Sequence, residues 1–61
     1  MKIGLNIAFR PRNDESAPVK WQAIEVEQVD SELIASALEA ATGLAPAEQC
    51  ILRANVVAFN A

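Results

Sequence analysis

Between Lys2 and Arg10 the chain reads KIGLNIAFR, with Ile3, Leu5, Ile7 and Phe9 at alternate positions and Lys2, Gly4, Asn6 and Ala8 between them. Alternation at period two over four apolar positions specifies a strand with one buried face, over about residues 2–9. A lone strand can neither satisfy its backbone nor cover that face. The rest of the chain must therefore supply a pairing strand and a covering layer. Arg10-Pro11 is expected to close the strand, because proline lacks the donor that a ladder needs and restricts the residue before it. The polar stretch RPRNDESAP then reads as the connection of a hairpin.

A second strand is expected over about 19–28, in VKWQAIEVEQV. Its alternation slips: Val19, Trp21 and Ala23 share one parity, and Ile24 and Val26 take the other. That pattern calls for a bulge near Ala23 or for cover on both faces. Glu25 and Glu27 fall two apart on one side, but nothing in the neighbouring sequence would hold a substrate against them. The segment VDSELIASALEAATG reads as a helix over about 31–42. Asp30 or Ser31 serves as N-cap, Glu32 sits in the first turn, Gly43 follows as the stop, and Leu33, Ile34, Ala37, Leu38 and Ala41 form an apolar stripe.

A second helix is expected over about 46–60, opened by Pro46 with Glu48 in its first turn. Wound at about 100° per residue, it shows two apolar faces. Cys50, Ile51, Ala54, Val57, Ala58 and Ala61 make the broader one, and Leu52, Val56 and Phe59 the other. One face suffices to pack on the first helix and the strands. Burial of each large side chain is worth about 1.5–3 kcal/mol, so Leu52, Val56 and Phe59 are expected to meet a partner chain or a further part of the protein. Cys50 reads as a small core residue.

Sixty-one residues make one small domain, 1–61, near the lower limit for folding alone. One cysteine and no histidine leave no intrachain disulfide and too few soft ligands for a zinc site. A domain of this size without a staple commonly associates, so a homodimer is expected. Residues 1–20 carry +2 and residues 21–61 carry −5, for a net −3. Any phosphate contact should therefore come from the basic end, through Arg10, Arg12 and Lys20. No apolar run is long enough to span a bilayer, and the N-terminus does not read as a signal peptide, which points to the cytoplasm. Lacking histidine, a Gly-rich phosphate loop or a ligand cluster, the chain reads as a non-enzyme with no cofactor and no small-molecule substrate.

Ser31-Glu32-Leu33-Ile34, the alanine-rich helix, Gly43-Leu44 and the apolar segment beyond resemble the opening of the HU/IHF histone-like family. FRPRNDESAPVKWQAIEV before them is similar to the extension carried by HU-like variant domains of Bacteroidetes-type bacteria. The resemblance implies an α+β fold: an N-terminal two-stranded β-hairpin followed by two helices, the second interlocking with its twin in a dimer. It also implies that the sequence stops within that helix, before the family's DNA-gripping arms, with Met1 a genuine start. Two departures stand out: Ala45-Pro46 occupies the place of the usual Ser/Thr and basic residue, and the arms are missing.

The function implied is a nucleoid-associated domain that dimerises through its second helix and binds double-stranded DNA non-specifically. Two other readings compete. One is an acidic protein-interaction or dimerisation module without DNA binding. The other is a ribbon-helix-helix repressor or antitoxin, whose strand-helix-helix order fits KWQAIEV and the segments after it but leaves Ile3–Phe9 unused.

Overall fold

The computed structural model describes residues 1–60. It contains three strands and one helix: β1 (Lys2–Pro11), β2 (Lys20–Val26), α1 (Ser31–Thr42), a single 3-10 turn at Pro46–Glu48, and β3 (Gln49–Asn60). The sheet is antiparallel with order β2-β1-β3. β1 is thus central, and the chain crosses from one edge to the other through α1.

This corrects the expected hairpin plus two helices, and with it the HU-like architecture and the ribbon-helix-helix order. Both need a second helix at 46–60, where the chain instead makes a 12-residue strand. Pro46 does start a helical turn, with Glu48 N–H donating to the Ala45 carbonyl at 2.8 Å. The turn does not propagate, because Ala45 offers no side-chain cap and the residues beyond are rich in β-branched and aromatic types. Ladder bonds to an otherwise unpaired side of β1 then outweigh helix formation. Ala61, assigned by its spacing to the broad apolar face, lies outside the described residues.

The two early strands pair in continuous register, from Ile3 opposite Val26 to Phe9 opposite Lys20. No bulge occurs at Ala23. The parity slip has another cause: Ile24 and Val26 lie on the sheet face that α1 covers, whereas Trp21 and Ala23 lie on the open face. Where α1 ends, that covered row continues as Gln22 and Lys20. β1 carries its pattern as expected, with Leu5, Ile7 and Phe9 buried together with Ile24, Val26, Ile34 and Leu38 in one core. Ile3, Ala37 and Leu44 pack at its margin.

The helix is bounded by its own chemistry. The Asp30 carboxylate accepts from the N–H groups of Glu32 (2.8 Å) and Leu33 (3.1 Å), satisfying donors that the first turn leaves free. Gly43 closes it at φ +82°, a left-handed conformation that a Cβ disfavours, and its N–H donates to the Glu39 carbonyl.

Gln49 fixes β3 to this helix. Its side chain is buried, and Nε2 donates to the carbonyls of Ala35 (3.0 Å) and Leu44 (2.9 Å). Its backbone carbonyl accepts both the Arg12 Nε and Nη2 hydrogens, at 3.3 and 3.1 Å. Together these contacts set the start of the last strand against α1 and the hairpin.

Candidate interaction surface

β3 follows β1 through two irregularities. Ala58 pairs with Gly4 and Val56 with Leu5, leaving Val57 as an extra residue; Arg53 pairs with Ala8 and Ile51 with Phe9, leaving Leu52 as another. Each is a β-bulge, two residues opposite one. The register places Gln49, Ile51, Ala54, Val56 and Phe59 on the face that α1 covers, and Cys50, Arg53, Asn55, Ala58 and Asn60 on the open face. Val57 leans to the open side, since its Cγ2 would lie 3.6 Å from a Cβ built on Gly4.

α1 packs against β2 and the core side of β1 and reaches β3 only at its first residue, Gln49. The consequence is an exposed apolar strand: Leu52 is 51%, Val56 49%, Val57 63% and Phe59 68% accessible. Leu52, Val56 and Phe59, grouped as one helical face by the sequence, do come together on one element. They do not share one face, because Leu52 is the extra residue of a bulge while Val56 and Phe59 lie on the helix side. Ile51, Asn55 and Val57 belong to the same surface and were not singled out for it. Among the described residues the outer edge of β3 has no strand beside it, and Arg53 is its one charged residue.

The three basic residues expected to meet phosphate are not brought to one place. Arg12 is committed to the Gln49 carbonyl. Arg10 lies at the open-face end of β1, its Nη1 donating to the carbonyls of Pro11 and, at the limit of reach, Asp14. Lys20 sits on the other face, at the rim of an open depression of about 560 Å³ beside Phe9, Pro18, Trp21 and Leu44. The open face carries Arg10 and Arg53 near one end of β1 and Lys2 at the other, with register partners Cys50, Ala8 and Asn60. Trp21 is half exposed on that same face, and Glu25 there accepts from Asn60 Nδ2 at 3.2 Å. Cys50, expected in the core, is half-buried on the open face, opposite Arg10.

Among the described residues no group of His, Cys, Asp or Glu is placed to hold a metal ion, and no helix is long and apolar enough to cross a membrane. Asp14 in the hairpin loop has its carboxyl pKa lowered, first by the hydrogen bond from the Ser16 hydroxyl at 2.7 Å. That contact orders a turn and shapes no site. Comparison with family models, curated proteins and solved structures finds no match for this chain.

Proposed function

We propose that this chain is a protein-interaction module that works by strand addition along the outer edge of β3. One observation carries the reading: a 12-residue edge strand with large apolar side chains exposed along it and a single charge. Natural sheets blunt their edges with short strands, lysines or proline, because unpaired N–H and C=O groups template pairing with another chain. Strand addition uses those groups for affinity and the alternating side chains for selection. Hydrogen exchange of the β3 amides, at low and high protein concentration and in an extract of the cells that make the protein, tests the proposal. Amides directed away from β1 should gain protection in at least one of these conditions. Exchange at the free-peptide rate in all of them would refute it.

The nucleic-acid reading no longer has the second helix it was built on, and it retains one supporting observation. Lys2, Arg10, Arg53 and Trp21 share the open face, and cations interleaved with an aromatic are what a backbone-tracking sheet requires. If that face binds, Arg53→Glu should weaken duplex or single-strand affinity in an anisotropy titration and flatten its salt dependence. An unchanged titration removes this second reading.

A further inference from the structure

Resting on the strand-addition reading, we infer that the occupant of the β3 edge is a second copy of this chain, paired antiparallel about a two-fold axis through Asn55. The argument is one of self-complementarity. In a two-fold antiparallel pair, each residue faces the one equally far on the other side of the central residue, and facing residues must share a sheet face. The two bulges make this a demanding condition, because they break the simple parity of the strand.

A pair centred on Asn55 meets it. Ala54 faces Val56 of the copy and Ile51 faces its Phe59, and all four belong to the helix-side face given by the register with β1. On the open face Asn55 meets Asn55 and Cys50 meets Asn60. The bulge residues Val57 and Leu52 face Arg53 and Ala58. Centring one residue earlier sets Ile51 of the helix-side face against Val57, which leans to the open side. Centring one residue later sets open-face Arg53 against helix-side Phe59. Of these three centres, only Asn55 sets every residue whose face is assigned against one on the same face.

Charge agrees with the same arrangement. Arg53 is offset from its counterpart by four residues, about 13 Å along the strand, so the like charges are kept apart. On the open face Asn6, which pairs with Asn55, extends a row of amides across four strands, from Asn6 through the two Asn55 residues to Asn6 of the copy. The size of the contact sets its strength. An edge about 34 Å long and about 10 Å deep removes roughly 350 Å² per copy. Doubled for the pair, that area falls below the usual 1,200–2,000 Å² of stable complexes. The contact is therefore that of a weak, reversible dimer, to be sought over a wide concentration range.

The test combines sedimentation velocity with a cysteine scan. In a Cys50→Ser background, Ala54→Cys, Asn55→Cys and Val56→Cys are each oxidised mildly at concentrations above dimerisation. Facing residues across an antiparallel pair have Cα atoms about 4.5–5.5 Å apart, within disulfide reach. A cysteine two residues out of register is about 8 Å away and beyond it. The expected result is a concentration-dependent dimer that crosslinks efficiently only through Asn55→Cys. Preferential crosslinking through position 54 or 56, or a dimer with no β3 crosslink, overturns the register. A monomer at every concentration overturns the second copy as occupant. In that last case the exchange experiment separates the two ideas: β3 protection gained only in extract leaves the interaction module standing, and no protection removes both.

Discussion

Replacing the amide of Gln49 with an isosteric carboxyl probes the joint between β3 and α1. The Gln49 side chain is 3% exposed, its Nε2 donates to two carbonyls, and its Oε1 has no partner among the described residues. The partners fix the orientation of the amide, since the flipped form would set oxygen against two carbonyl oxygens. In Gln49→Glu that conflict becomes unavoidable. A buried carboxylate would face the Ala35 and Leu44 carbonyls with no donor, a situation that costs about 3–5 kcal/mol. Total stability for a chain of this length is about 3–9 kcal/mol, so much of the population should unfold at neutral pH.

Acid should rescue the variant. Burial raises the folded-state pKa of the introduced carboxyl, so the penalty is absent below the ordinary glutamate value of about 4.3 and grows as pH rises toward the folded value. Once protonated, the group donates one of the two lost bonds, and the residual loss is about 1–2 kcal/mol. Urea titrations followed by Trp21 fluorescence and far-ultraviolet dichroism measure the difference between variant and parent at each pH. Gln49→Leu serves as control, removing both bonds and the orphaned oxygen with no dependence on pH. A Gln49→Glu difference that is small and flat with pH would refute the reasoning, because it would mean that Gln49 is hydrated.

Other perturbations test separate parts of the same structure. Leu38→Ala empties a fully buried position under the sheet and should cost about 2–5 kcal/mol in a denaturant titration. Gly43→Ala meets no atom within 4 Å, so its expected loss of about 1–2 kcal/mol reflects left-handed backbone strain alone; thermal melts check it. Ser16→Ala removes the leading cause of the lowered Asp14 pKa, so Asp14 should titrate closer to its ordinary value in a pH series followed by NMR. The contribution of the parent contact is present above the ordinary aspartate range and lost as pH falls through the lowered pKa.

How far the fold could be read in advance depended on how regular each segment is. β1 has an unbroken period of two, and α1 carries both of its stops, so the helix lies over Ser31–Thr42 where its caps place it. β3 was opaque because of its bulges. Each inserts one residue, so the helix-side positions 51, 54, 56 and 59 are spaced three, two and three apart. Two of those spacings are a helical interval, so this one strand face reads as pieces of two helical faces, Ile51 and Ala54 on the broader one and Val56 and Phe59 on the other. The signal against a helix was chemical: Ile51, Val56, Val57 and Phe59 favour a strand, Asn55 and Asn60 disfavour a helix interior, and Ala45 supplies no cap. The exposed apolar surface was legible without the fold, because 61 residues cannot cover so many large side chains. Its membership was not, since which residues share a face depends on where the ladder slips.

The two edges of the sheet explain why pairing through β3 would stop at two copies. β2 is short, carries Lys20 and Glu25, has Gln22 folded back onto the Ala23 carbonyl at 2.9 Å, and lies under α1. These features discourage strand addition. β3 is nearly twice as long and has Arg53 alone among its charges. When two β3 edges pair about the Asn55 axis, both vulnerable strands become interior. The outer edges of the resulting six-stranded sheet are then the two protected β2 strands. A heterologous pairing of β3 with β2 would instead leave one β3 edge open at every step and grow into a fibre. The asymmetry of protection within one small sheet therefore favours closure over growth.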